Sequence, residues 1–335
     1  MKRRMGRGWV LFLMALSSLS AFWSGMPGAS FSEPFQANCD DVIHRGDSGH
    51  LNLMTLNLLF SEFTDREERL ETIADFIAKN DEPIDVILLQ EAVGGLLSGT
   101  ENSSLDLKHL LAERGLFYNH SFRIENGLKN IFSEGNAILS RCEILSTFHQ
   151  SLPYVREVFL DGFEIPLKRI VMESRIHIPD WGDMNVYHTH LCAYCSPKER
   201  LDQTEILMGF IENIENELQE GSPMILGGDF NIDLNLPEDF PSYQLITQSG
   251  WIDTYTYDHR CISCCTSPTD SGCTFAVEGN PYAINPITGQ PEKAARVDYV
   301  FMKGEKISPG GSTVVFNSAP WVSDHSGVLT RINLK

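Results

Sequence analysis

The chain has 335 residues, 42% of them hydrophobic and 21% charged, with a formal net charge of −19. That composition excludes a disordered or collagen-like polymer and allows one large core or two modest ones, a single enzyme-sized domain being the simplest reading. So acidic a chain repels polyanions at long range, which argues against a broad basic nucleic-acid-binding face, although a bound divalent cation can reverse the field locally.

At the N-terminus, "MKRRMGRGWVLFLMALSSLSAFWSGMPGAS" places Lys2, Arg3, Arg4 and Arg7 ahead of an apolar run from Trp9 to Leu16, then small residues. This reads as a secretory signal over residues 1–30, cut near Ser30, because Ser17, Ser18 and Ser20 break the run before the ~20 residues that a membrane span needs. Removing it takes away four basic residues and no acidic one, so the charge moves from −19 to −23. The remaining chain is expected to be secreted or periplasmic. Residues 31–49 read as a lead-in segment ahead of a main domain over 50–335. All eight cysteines (Cys39, Cys142, Cys192, Cys195, Cys261, Cys264, Cys265, Cys273) follow the signal. An even count in an exported chain suggests disulfides, in a pairing that the sequence leaves open.

From residue 50 the elements alternate in type. "LNLMTLNLLF" (51–60) predicts a buried strand, and Thr64 with Glu67 predicts a capping box for a helix ending near Lys79, with Leu70, Ile73, Ala74 and Ile77 on one face. "DVILLQE" (85–91) is apolar throughout, as a strand covered on both faces would be. A short helix is expected from Leu105 to Arg114, stopped by Gly115. Strands follow at "GNAILSR", "KRIVMESRIHI" and "MNVYHTHL", then a helix over 197–219 with Leu207, Ile211, Ile214 and Leu218 at helical spacing. After "PMILGGDFNI" come a short helix near 241–249, "ARVDYVFM" and "SDHSGVLTRINL". Many strands with a few helices between or outside them predict an α/β or α+β sandwich of two sheets flanked by helices.

Polar residues recur at the ends of these apolar strands. Asn57 ends the first and Glu91 the second; His190 ends "NVYHTH"; Asp229 and Asn231 follow "MILGG"; Asp298 lies in "RVDYVF"; Asp324 and His325 precede the last strand. Each alone is explicable as a turn or cap residue. Together they form a set: hard oxygen donors suited to Mg²⁺, Mn²⁺ or Ca²⁺, histidines able to act as base or donor near neutrality, and an aspartate to fix an imidazole tautomer. These are the parts of a metal-assisted phosphoester hydrolase.

The motifs "MTLNLL", "ILLQEAV", "GNAILSR", "YHTHL", "LGGDFNI", "RVDYVF" and "SDHSGV" occur in the order that resembles the endonuclease/exonuclease/phosphatase superfamily, from residue 50 to the C-terminus. The resemblance implies a four-layer αββα sandwich of two packed, mainly antiparallel sheets, with the site at one edge. It implies that Asn57 and Glu91 bind the metal with Asp324 contributing, and that His190 and Asn231 contact the scissile phosphate. Asp229 would position or activate the nucleophile, and His325, oriented by Asp298, would be general base or phosphate donor. It also selects His190 over His188, which shares its strand face and is left to packing.

"THLCAYCSPKERLDQ" and "GCTFAVEGNPYAIN" are closest in flavour to neutral-sphingomyelinase-type phosphodiesterases, so the leading expectation is a monomeric, secreted phosphodiesterase acting on a phospholipid headgroup at a membrane surface. No aromatic hairpin for membrane insertion is evident, since Trp181, Trp251 and Trp321 are isolated. The alternatives are a deoxyribonuclease-I-like nuclease using Arg141, Lys168, Arg169 and Arg200, an inositol-phosphate phosphatase, and an inactive binding module on the same fold. Intact Glu91, Asp229 and His325 argue against the last. The two CxxC pairs, Cys192/Cys195 and Cys261/Cys264, match the spacing of structural Zn²⁺, but export and the neighbouring Cys265 and Cys273 favour disulfides bracing the rim of the site. His44, His50, His109, His120, His149, His177 and His259 read as surface or loop residues, and Asn102 and Asn119 as glycosylation acceptors in a eukaryotic chain.

Overall fold

The structure is a computed structural model that describes residues 37–335 except 47–48, 61–63, 97–98, 129–130, 160–162, 219–220 and 286–287. The predicted secretory segment lies outside the described residues. Fourteen strands are described: β1 (His50–Asn57), β2 (Val86–Gln90), β3 (Asn119–Leu128), β4 (Phe132–Ser140), β5 (Glu143–Ser151), β6 (Val155–Phe159), β7 (Phe163–Leu167), β8 (Ile170–Ile178), β9 (Gly182–His190), β10 (Met224–Asp229), β11 (Ile252–Asp253), β12 (Asp298–Lys303), β13 (Ile307–Val315) and β14 (Gly327–Leu334). The α-helices are α1 (Arg66–Lys79), α2 (Ser103–Glu113), α3 (Pro197–Leu218), α4 (Phe240–Gln248) and α5 (Thr254–His259).

The strands form two sheets of six, ordered β13-β14-β1-β2-β4-β3 and β11-β12-β10-β9-β8-β5, and a separate β6-β7 pair. Strand alternation explains the layering. In β1, Leu51 and Leu53 join Val86, Leu88 and Ile138 against Met172, Val186, Ile225 and Val300 of the second sheet. Met54 and Leu56 point the other way, into Ile73 and Ile77 of α1 and Leu107 and Leu111 of α2. On the outer face of the second sheet, Tyr187 and Leu226 pack under Leu207, Phe210, Ile211 and Ile214 of α3. The predicted αββα sandwich is therefore the observed one. Most pairings are antiparallel; β1 with β2 and β9 with β10 are parallel.

The parallel pairs matter because they bring strand ends together. Asn57 lies opposite Gln90 where β1 and β2 stop, and Asp229 lies between His190 of β9 and Asp298 of β12 in the hydrogen-bonded register. Gly228 permits that register: its φ is +144°, and a Cβ there would stand 2.0 Å from the Thr189 carbonyl oxygen.

Several local expectations change. Helix α1 begins after Asp65, which is left-handed and makes no side-chain capping bond, so the Thr64/Glu67 capping box does not form. Thr64 instead accepts through its carbonyl from Arg69 Nε, whose Nη1 also reaches the Leu58 and Val322 carbonyls. His50 is buried in β1 beside Glu82, and His120 is in β3, within hydrogen-bond distance of Ser104; neither is a surface residue. Asn102 is buried and caps α2 by accepting from the Leu105 amide, so it offers no site for a glycan. A hairpin absent from the sequence reading is present, with Phe159 opposite Phe163 across β6 and β7. The lead-in is pinned by a Cys39–Cys142 disulfide and by Arg45 and Arg141, which bind buried Asp85.

The remaining cysteines pair as Cys192–Cys195, Cys261–Cys264 and Cys265–Cys273. Each CxxC closes on itself, which consumes the four thiolates that structural zinc would require.

Candidate active site

The predicted polar residues converge at one edge of the sandwich around Asp229. Its Oδ1 accepts from the Asn231 amide at 3.0 Å, and its Oδ2 accepts from Asn57 Nδ2 at 3.2 Å. The same Oδ2 lies 3.4 Å from His190 Nε2 and 3.7 Å from His325 Nε2. On the far side of that ring, His325 Nδ1 is 2.9 Å from Asp298 Oδ2. Asn231 Nδ2 donates to the Leu191 carbonyl, which ties the loop after β10 to the end of β9.

Glu91 stands beside this group. Asn57 Nδ2 donates to its Oε1 at 3.1 Å, and the Phe60 amide donates to its Oε2. Asn57 thus turns its NH₂ toward the two carboxylates while its Oδ1 accepts from the Leu59 amide. Glu91 and Asn231 both have positive φ, 54° and 52°, a left-handed conformation that a glutamate adopts at a cost of about 1–2 kcal/mol. Such strain at the ends of two strands is consistent with side chains aimed for function.

Burial pushes the Glu91 carboxyl up to about 7, with Asp324 and Glu134 adding repulsion and Asn57 opposing it. Burial and then Asp298 likewise push Asp229 up to about 7. Burial disfavours charge on His325, but Asp298 and then Asp229 outweigh it and hold its pKa well above the ordinary value. His190 goes the opposite way: burial, then Arg169, then His325 and His188 hold it well below.

A divalent cation fits this donor set. Asp324 and Glu134 repel charge on Glu91, which Asn57 and His325 offset only in part, and all three carboxylates offer hard oxygens. Two groups of three carboxylate or imidazole atoms lying within 4.8 Å of one another occur among the described residues, Asp229, Asp298 and His325, and Glu125, Glu134 and His190; neither includes Glu91 or Asp324.

The second group was missed by the sequence reading. Glu134 immediately precedes the quoted "GNAILSR", and a charged residue inside an otherwise uncharged strand was its only local signal. Glu125 accepts from the Ile170 amide and from Asn136 Nδ2, and Arg169 lies 3.6 Å from its Oε2. Of the four cations considered for phosphate contact, Arg141 binds Asp85 and Asp41, and Arg200 binds buried Asp239. Arg169 is buried against His190, and Lys168 is exposed. His188 packs between the sheets, its ring nitrogens 3.1 Å from the carbonyls of Gly227 and Leu89.

Solved structures share this fold. An endonuclease/exonuclease/phosphatase family protein from Leptotrichia buccalis C-1013-b is similar with a TM-score of 0.60 at 22% identity, over 85% of this chain and 100% of its own. The mannosyl-6-phosphatase of Bacteroides thetaiotaomicron VPI-5482 gives 0.58 at 18%, over 84% and 99%. D. rerio TDP2 complexed with a single-strand DNA product gives 0.58 at 16%, over 85% and 99%. No curated protein matches the chain in sequence. The family model described as "Endonuclease/Exonuclease/phosphatase family" matches residues 54–325, which spans every site residue from Asn57 to His325, and the chain belongs to that hydrolytic, metal-dependent family.

Proposed function

We propose that this protein is an exported, divalent-metal-dependent phosphodiesterase that acts as a monomer on phospholipid headgroups at a membrane surface. The observation that carries this reading is the character of the loops leaving the site-bearing strands. Phe60, Leu96 and Tyr194 are 44%, 79% and 43% exposed, whereas Arg141 and Arg200 are committed to ion pairs. A rim with exposed apolar side chains suits a lipid surface better than a polyanion, which calls for free cations. The four disulfides support export.

Glu91 and Asp324 would hold the cation, with Asn57 alongside and Glu134 behind Glu91. When bound, Mg²⁺, Mn²⁺ or Ca²⁺ neutralises a phosphoryl oxygen and stabilises charge that develops at phosphorus. Asp229, fixed by Asn231 and Asn57, orients the attacking water and accepts its proton. His325, kept cationic by Asp298, donates toward phosphoryl oxygen, as does His190 through Nε2. Asn231 supplies a further amide contact near the same point.

A nuclease is the second reading, favoured by the fold shared with TDP2, whose structure holds a DNA product. A panel of sphingomyelin and other choline lipids, double-stranded DNA and inositol phosphates, each with Mg²⁺, Mn²⁺ and Ca²⁺, separates the readings. Release of phosphocholine without nicking of DNA is the expected result. Nicking with no lipid turnover overturns it, and full metal-dependent activity in Glu91→Gln or His190→Ala removes the site assignment.

A further inference from the structure

Arg169 directly precedes β8 and is 4% exposed. Its Nη1 lies 3.0 Å from His190 Nδ1. A guanidinium carries only donors and stays protonated, so a ring nitrogen at that distance must present its lone pair. The imidazole proton then sits on Nε2, the nitrogen that faces Asp229 at 3.4 Å.

We infer that Arg169 is a positioning residue that locks His190 in the neutral form with the proton on Nε2, so that His190 enters the reaction as a hydrogen-bond donor on the Asp229 side. That the acceptor there is a phosphoryl oxygen rests on the function proposed above; the tautomer does not.

The surroundings show why a lock is needed. Glu125 and Glu134 each place a carboxylate oxygen within 4.8 Å of a His190 ring nitrogen. Facing those acids alone, the ring would take its proton on Nδ1 or become an imidazolium. Arg169 stands between: it lies 3.6 Å from Glu125 Oε2 and turns the same nitrogen toward His190. Its charge also adds to burial in keeping His190 neutral.

His325 is the contrast, because its Nδ1 meets the Asp298 carboxylate rather than a cation, and the ring is held charged. One site therefore contains two histidines in opposite states, each set by what touches Nδ1, which is a recurrent way of assigning separate proton roles. The consequence falls on Asp229. A cationic His190 would hold Asp229 in an ion pair; a neutral one leaves the carboxylate to the nucleophile and to His325.

The test reads the nitrogens directly. In full-length ¹⁵N-labelled protein near neutral pH, two-bond ¹H–¹⁵N correlation spectra, with His190 assigned as the ring lost in His190→Gln, are expected to show Nδ1 bare and Nε2 protonated. Arg169→Lys keeps a donor and should keep that pattern. Arg169→Met should move a proton onto Nδ1 and lower kcat about 100-fold with a smaller change in KM. A protonated Nδ1 in the wild type, or an unchanged ring in Arg169→Met, overturns the inference. Should Arg169→Met not fold, the wild-type and Arg169→Lys spectra still decide it. The expected tautomer in a protein that hydrolyses no phosphoester would support the lock and remove the proposed function.

Discussion

Single residues differ here in how far their environment departs from water, and Glu173 shows the effect away from the site. It is buried in β8 beneath α3. Burial pushes its carboxyl up to about 7, against a hydrogen bond from the Phe148 backbone that favours the anion, and Glu215 adds repulsion. The unfolded chain releases this proton near 4.5, whereas the folded chain keeps it until about 7. Stability from this group is thus present at low pH and is lost as pH rises through that window. Glu173→Gln should leave stability unchanged at pH 4 and raise it by about 2 kcal/mol at pH 8, a value set below the full linkage because the side chain is not wholly desolvated. Urea melts of both proteins across pH test this; parallel curves would show that Glu173 ionises freely in the fold. Nothing in the sequence marks Glu173, since a glutamate in "KRIVMESRIHI" reads as one more alternating polar position. Histidine parity has the same cause. His188 and His190 share a strand face; the Leu89 and Gly227 carbonyls meet one ring, and Arg169 and Asp229 meet the other.

Elements were legible where burial is two-sided or helical periodicity is long. The strands at β1, β2, β9 and β10 and the helices α1 and α3 announce themselves because their apolar residues must meet partners on fixed faces. The strands β3, β5 and β13 did not, because each lies at or near a sheet edge, and in β5 the row of exposed side chains gives no alternation to read. The clasp after β9 was legible as a loop but not as a joint with α3, where Arg200 donates to the Cys192 and Ala193 carbonyls and Gln203 accepts from the Cys192 amide. These contacts hold the Cys192 end of the clasp to α3 without the disulfide, which is left to fix the Cys195 end. Two cross-links should therefore separate stability from binding. Cys39–Cys142 spans 103 residues, and Cys192–Cys195 spans 3. Chain-entropy arguments assign over 4 kcal/mol to the first and about 2 kcal/mol at most to the second. Replacing Cys39 and Cys142 by alanine should lower the urea midpoint strongly and leave KM alone. Replacing Cys192 and Cys195 by serine should raise KM several-fold with a small loss of stability. If both pairs cost the same stability and neither alters KM, the disulfides do not brace the rim.

Taken whole, the molecule concentrates like charge at the edge where its parallel strand pairs end. The order of motifs along the chain made the fold readable and singled out Asn57, Glu91, His190, Asp229, Asn231, Asp298, Asp324 and His325 as strand-end candidates for the site. Glu125 and Glu134 were hidden, and Arg169 was readable only as a candidate phosphate contact, because they reach the site through the packing of the sheets rather than through a motif. With net charge −19 and Glu91 repelled by Asp324 and Glu134, the folded state carries an electrostatic cost that a cation at this edge would relieve. The unfolded chain scatters these carboxylates and holds a cation weakly, so binding should stabilise the fold by mass action. At a free concentration about 100 times Kd the gain is about 2.7 kcal/mol, which for a chain of this size amounts to a few degrees in Tm. Protein stripped with a chelator should melt lower, and Mg²⁺, Mn²⁺ or Ca²⁺ should restore it in proportion to the logarithm of concentration. In Glu91→Gln the chelated protein should melt above the chelated wild type, because one buried charge is gone, and added cation should shift it little. A cation response of equal size in both proteins would place the stabilising ion elsewhere, and no response in the wild type would mean that the acidic edge folds without one.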